Sequence, residues 1–178
     1  MKILGLMRHA KYDWDDLATR DFDRGLNDRG RKGGALIGAH IRDHGIKWGA
    51  LIASPAERVK RTLDVAELGV EPVFDEKLYL ASSATLIETI SAHTGGANGP
   101  DTVLVTGHNP GLQELMLELV PPHRENALFD EAAAKFPTAA FAVIECKIDD
   151  WSELRGGVGT LTHFARPRDL DPELGPEY

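Results

Sequence analysis

The chain of 178 residues is 42% hydrophobic and 27% charged, which suits one globular domain with a sizeable core and leaves little room for two. Its net charge of −8 argues against a nucleic-acid groove, which shows as a basic excess, but not against a small anionic ligand held by a few cations in one pocket. No apolar run approaches the roughly 20 residues that cross a bilayer, the apolar start is too short for a secretory signal, and the single Cys146 fits a reducing cytoplasm. Ile3–Met7 reads as a buried strand that ends in Arg8 and His9. Asn27 caps a helix predicted over Asp28–His44, stopping near Gly45; its Gly30, Gly33, Gly34 and Gly38 read as close packing of helix on sheet. A second strand, "GALIAS", leads into Ser54-Pro55-Ala56-Glu57, which reads as a capping box opening a helix over Pro55–Glu67. A helix follows over Ala84–His93, then the strand "TVLVTG". Asn109-Pro110 opens a helix to Leu119 whose Leu112, Leu115, Met116 and Leu119 share one face. "PPHRENALFDEAAAKFP" holds a further short helix, and "TAAFAVIEC" and "TLTHFA" read as strands with no clear helix between them. Residues from about 165 to 178, rich in Pro and acid, read as a loop or tail.

This order predicts a single domain over residues 1–178. Its fold class is α/β: a three-layer α/β/α sandwich on a mostly parallel sheet, with an antiparallel edge near the C-terminus. In such a sheet the unusual polar residues gather on one edge. Arg8 and His9 follow the first strand, Ser54 follows the second with Arg58 in the first turn of its helix, and Gly107-His108-Asn109 follows the third. Open α/β sheets bind ligands at the carboxyl ends of their strands. Two arginines and two histidines there, beside two helix starts, describe an anion pocket. A phosphoryl group uses this set best. Guanidinium forks hold its oxygens, one neutral imidazole can attack phosphorus, and a second can donate to an equatorial oxygen. The cations supply the positive charge, so no metal or other cofactor is expected.

The motifs resemble those of the histidine phosphatase superfamily, whose fold is the phosphoglycerate mutase-like one. "LMRHAK" is similar to its nucleophile motif, "SPAERVKRT" to its S-x-x-x-R segment with a trailing Thr, and "TGHNPGL" to its second-histidine motif. "RHAKYDWDD", "DFDRGLNDRG", "ASPAERVKRT", "GHNPG" and "KFPTAA" together resemble the SixA-type phosphohistidine phosphatases, in the same order and from residue 3 to about residue 170. The resemblance implies a metal-independent phosphatase with His9 as the nucleophile that becomes phosphohistidine, and Arg8, Arg58 and His108 as the phosphate pocket. It implies Lys11 and Arg24 at the pocket rim, in reach of substrate. Ala10 stands where the wider family more often has Gly, in agreement with the subfamily. The general acid is ranked as Glu76, in "EKLY", with Asp13, Asp21 and Asp23 as rivals. An imidazole leaving group, basic at its nitrogen, would need little acid help.

The remaining histidines read as unremarkable. His40 and His44 have the i, i+4 spacing of a metal pair but lack an H-E-x-x-H pattern, and His93, His123 and His163 lie in ordinary polar contexts. Cys146 reads as an inert core thiol, and no glycine run makes a nucleotide fingerprint. The expected partner is a phosphorylated substrate, either a phosphohistidine protein or a small phosphometabolite. Nucleic acid and membrane are not expected, a cytoplasmic location is, and a monomer is favoured. Two other functions compete: a phosphoglycerate-mutase-like phosphotransferase, for which the chain is short, and a non-catalytic phospho-ligand binding module, which loss of His9 or an arginine would favour.

Overall fold

A computed structural model describes residues 1–13, 15 and 17–175. Trp14 and Asp16 of the first motif, and the last three residues of the expected tail, lie outside the described residues. Strand β1 (Lys2–Arg8) lies in a six-stranded sheet with β2 (Ala50–Ala53), β3 (Pro72–Phe74), β4 (Thr102–Gly107), β5 (Phe141–Cys146) and β6 (Gly159–Ala165), in the order β3-β2-β4-β1-β5-β6. The pairs β3–β2, β2–β4 and β4–β1 are parallel, and β5 runs antiparallel to both its neighbours. The antiparallel strand expected near the C-terminus is therefore β5, one place in from the edge.

Alternation along β1 divides the core. Leu4 and Leu6 face one layer with Ile52, Val103 and Val105, while Met7 faces the other with Leu51 and Leu104. The first layer is closed by α3 (Ser83–Thr94), α4 (Gly111–Leu119) and α5 (Ala127–Ala134), through Leu86, Leu112, Leu115 and Phe129. The second is closed by α1 (Asp28–His44) and α2 (Glu57–Ala66), through Ile37, Ile41 and Ala66. Each fully buried Leu or Ile here contributes roughly 1.5–3 kcal/mol of burial free energy. This is the mixed α/β sandwich that the hydrophobic pattern predicts.

Local chemistry departs from expectation in four places. Asn27 does cap α1, accepting from the Gly30 amide at 2.8 Å. The glycines of α1, however, pack against a loop and a helix rather than the sheet. A Cβ on Gly30 would lie 1.9 Å from the Lys11 carbonyl oxygen, and one on Gly38 2.3 Å from that of Ala66 in α2. Ser54 does not cap α2. The helix starts two residues later than Pro55, at Glu57, with Ala56 at the cap and no side-chain cap bond, because the Ser54 hydroxyl is engaged in the site described below. Strand β3 carries no sequence signal: it has three residues, begins with Pro and lies on the sheet edge. Finally, the expected tail is folded through residue 175. It forms α6 (Pro167–Leu170) and a 3₁₀ turn, Pro172–Leu174. Asp171 accepts from Lys32 of α1 at 2.9 Å, and Arg29 donates to the Gly175 carbonyl at 2.9 Å.

Candidate active site

Sheet register sets the site. Arg8 pairs with Gly107 and Ala53 with Thr106, so Arg8-His9, Ser54 and His108 leave their strands at one level on one edge. His9 is pinned there by its backbone: its amide donates to Gly107 O at 3.0 Å and its carbonyl accepts from Ala139 N at 2.9 Å. The next residue is held from the opposite side. Ala10 N donates to Thr62 Oγ1 at 2.8 Å, and that hydroxyl donates to the Arg58 carbonyl one turn back at 2.7 Å. Thr62 thus ties the β1 loop to the first turn of α2, which carries Arg58.

The His9 ring is 97% removed from solvent, and its Nδ1 lies 2.8 Å from Ala10 O. A carbonyl can only accept, so Nδ1 donates and Nε2 carries the free lone pair of a neutral ring. Burial holds the His9 pKa well below its ordinary value. Arg8, His108 and Arg58 push the same way, and only the bond to Ala10 O opposes them. The His108 ring lies 5.2 Å from that of His9, with its Nε2 2.7 Å from Ser54 Oγ and its buried Nδ1 without a partner. Burial first, then Arg58 and Arg8, lower its pKa to about 3.

Both arginines are built into the wall. Arg8 donates from Nη1 to the Phe136 carbonyl at 3.1 Å. Arg58 is buried, and its guanidinium lies 4.5 Å from the centre of the Tyr12 ring. The Nε of each is buried without a hydrogen-bond partner. Unpaired buried donors are costly, so three of them (two guanidinium nitrogens and His108 Nδ1) in the neighbourhood of His9 have the chemistry to take an oxyanion. Asp21, on a 3₁₀ turn before α1, brings a carboxylate into contact with Arg58. Its Oδ2 accepts from Arg58 Nη2 at 3.0 Å and from the Tyr79 hydroxyl, and its carbonyl accepts from Arg58 Nη1 at 2.7 Å. Burial acts to raise the Asp21 pKa, but the bonds from Tyr79 and Arg58 outweigh it and hold the group below the usual carboxylate range.

Arg8, His9, Arg58 and His108 are therefore brought together, with Arg24 and Lys11 at the margin and Glu76 apart from them. Glu76 is exposed on the 3₁₀ turn Glu76–Leu78, and its side chain bonds none of the described residues. Arg24 donates to Thr19 O at 3.1 Å and acts on Asp21 from nearby, while Lys11 shares a separate cleft with Arg8. Thr62 is legible only as the trailing Thr of its motif, and Tyr12 and Tyr79 lie in motifs but nothing in the sequence assigns them to the site. His163 was misread. It stands on β6 beside His40 and His44 of α1, its Nε2 2.7 Å from that of His40 and its ring 4.2 Å from that of His44. These three are the group among the described residues whose ligand atoms, all within 4.8 Å of one another, could hold a metal. As placed, they form a hydrogen-bonded stack of imidazoles, with the His40 and His163 planes 17° apart.

Residues 4–79 match the sequence model of the histidine phosphatase superfamily, branch 1. An uncharacterized protein of Mycobacterium tuberculosis (strain H37Rv) is 31% identical over 163 residues, covering 91% of this chain and all of its own. Among solved structures, the SixA of Nakamurella multipartita superposes with a TM-score of 0.79 at 26% identity, covering 93% of this chain and 96% of its own. That of Agrobacterium tumefaciens gives 0.73 at 26%, covering 93% and 99%. A protein histidine phosphatase SixA solved with tungstate shares the fold, with a TM-score of 0.74 at 22% identity and coverage of 95% and 99%. The chain belongs to the histidine phosphatase superfamily and is SixA-like. It is a phosphatase by class.

Proposed function

We propose that the chain hydrolyses phosphoryl groups through a covalent phosphohistidine at His9, without a metal. One observation carries this reading: the Nδ1–H of His9 is committed to Ala10 O, which leaves an unprotonated Nε2 on a buried ring beside two arginines. Such a nitrogen is a nucleophile at neutral pH. Arg8 and Arg58 bind the equatorial oxygens through donors that include their unpartnered Nε atoms. His108, with Nε2 on Ser54, offers Nδ1–H to the charge that develops in the transition state. Water then cleaves the N–P bond, releasing phosphate and restoring the imidazole.

The substrate is a phosphohistidine protein or a small phosphorylated molecule. Asp21, held ionised by Tyr79 and Arg58, suits electrostatic positioning better than proton donation. That favours a leaving group that departs without an acid. Lys11 and Arg24 flank the site and meet the body of the substrate. The test is steady-state turnover of para-nitrophenyl phosphate with phosphate binding measured alongside. His9→Ala abolishes turnover and keeps phosphate binding, and EDTA leaves the wild-type rate unchanged. Loss of activity on chelation, restored by a divalent ion, points to a metal-assisted route.

A further inference from the structure

Beside the phosphate pocket lies a cleft of about 280 Å³ between the loop after β1, the start of α1, the segment following α5, and α6. Its lining includes Arg8, Lys11, Arg29, Lys135, Arg166 and Arg168, and no acidic residue among those described. In a chain of net charge −8 this segregation concentrates positive potential in one place. Not every charge is available to a ligand. Arg166 is taken up by Asp169, with both contacts at 3.0 Å, and Arg29 holds the Gly175 carbonyl. Lys135 and Arg168 enter no salt bridge among the described residues. Arg8 belongs to both places: it lines the cleft and stands next to His9, with its Nε unpartnered. The guanidinium thus stands between the cleft and the cluster around His9.

We infer that the cleft binds a phosphoryl group adjoining the one transferred to His9, so that the substrate class is a phosphoanhydride, the end of a di- or polyphosphate chain. The inference rests on the phosphatase reading above and adds the leaving group to it. In the transfer step His9 Nε2 attacks the terminal phosphorus. The N–P bond forms as the bond to the bridging oxygen breaks, and the electron pair departs with that oxygen onto the neighbouring phosphate. A phosphate oxygen leaves without being protonated, which matches a site where the carboxylate bonded to Arg58 is held ionised. The cleft's cations neutralise the added charge, and Arg8 spans both phosphoryl groups. Water then hydrolyses phospho-His9, so each cycle consumes one water and releases one inorganic phosphate and the shortened chain. The cleft is larger than one phosphate needs, and Pro137, Pro167 and Leu174 give its remainder an apolar surface for further chain or an organic end.

The experiment compares inorganic tripolyphosphate with para-nitrophenyl phosphate, which has no second phosphoryl group, as substrates of the full chain. Tripolyphosphate is expected to show the higher kcat/KM by about tenfold or more. The double substitution Lys135→Ala/Arg168→Ala raises its KM about tenfold and moves the para-nitrophenyl phosphate constants by less than about twofold. Calorimetric titration of tripolyphosphate into His9→Ala protein, with and without the double substitution, reads the cleft without turnover and should show the same loss. Hydrolysis of para-nitrophenyl phosphate with no preference for tripolyphosphate, or an equal effect of the double substitution on both, overturns the inference and leaves the phosphatase reading standing. So does a preference for a phosphohistidine protein over tripolyphosphate. Tight binding lost with Lys135 and Arg168, but no turnover of either substrate, overturns the phosphatase reading itself.

Discussion

Arg58 meets any incoming phosphate with both of its terminal nitrogens on Asp21, one on the carbonyl and one on the carboxylate. On the proposed reading an incoming phosphate competes with that carboxylate, so binding exchanges one anion for another at a buried cation. Asp21→Asn removes the competing charge and should lower the inhibition constant for orthovanadate about threefold to tenfold; a weaker inhibitor in the variant would contradict the exchange. Arg58→Ala removes the fork from both ground and transition states. It should raise KM and lower kcat together, with kcat down about 10²-fold or more. The two imidazoles make the pH profile informative. Both pKa values lie below the ordinary histidine value, that of His108 at about 3, so the reactive neutral forms persist into acid. The profile of kcat/KM should stay flat down through pH 6.5 and fall only below it, as His9 takes up a proton; an acid limb centred near 6.5 would mean His9 is not buried as described. Arg8, His9 and His108 are legible because each stands at or just after a strand end, and Arg58 because it opens the helix after one, all within family-like motifs. Asp21 was one of several carboxylates, and nothing local marks the one whose loop reaches Arg58. Glu76 ranks above it in the sequence only because "EKLY" resembles the acid-bearing segment of larger family members, and it is Tyr79, not Glu76, that reaches the site.

Among the elements, α1 was read from the sequence to its last residue because cap, period and terminal glycine agree: Asn27 at one end, Gly45 in the left-handed region at φ 86° at the other. What the glycines pack against was not legible, since spacing says nothing of the neighbour. The structure separates them, and substitution should too. A Cβ on Gly38 runs into Ala66 backbone at 2.3 Å, which cannot move without α2, so Gly38→Ala should destabilise by about 1–3 kcal/mol. At Gly33 the nearest atom, in Pro167, would lie at an ordinary 3.6 Å, so Gly33→Ala should stabilise by about 0.5–1 kcal/mol. Urea unfolding of the two variants checks both signs, and equal effects would contradict the packing. The α2 start failed for a related reason. Ser-Pro-x-Glu is a sound capping signal, but the hydroxyl has a stronger use on His108, and local rules lose where a site claims the group. The C-terminal α6 was invisible because four residues are too few to show a period.

At the scale of the whole molecule, buried and half-buried neutral histidines make stability depend on pH. His163, pushed down to about 4 by burial and by its neighbours His44 and His40, and His108, at about 3, stay unprotonated in the fold after the unfolded chain has charged near 6.5. The unfolded state then binds more protons, so stability falls as pH drops from 6.5 toward 4. The urea midpoint should be lower at pH 5 than at pH 7, and His163→Gln should flatten the difference; a midpoint that rises on acidification would contradict the burial. The sandwich itself was legible from alternating short apolar runs and helical periods. The joining of three histidines from α1 and β6 was not, because it depends on how a C-terminal strand lies against a distant helix. Register does the rest, placing the ends of β1, β2 and β4 level so that two arginines and two histidines share one edge. That this edge performs covalent catalysis is tested most directly by rapid acid and alkaline quench of the enzyme with a phosphoryl-labelled substrate. The expected result is an acid-labile, base-stable phosphoenzyme on the wild type, mapped to His9 and missing from His9→Ala. Robust turnover with the label on a carboxylate or a serine, or with no labelled enzyme on the time scale of turnover, would contradict it.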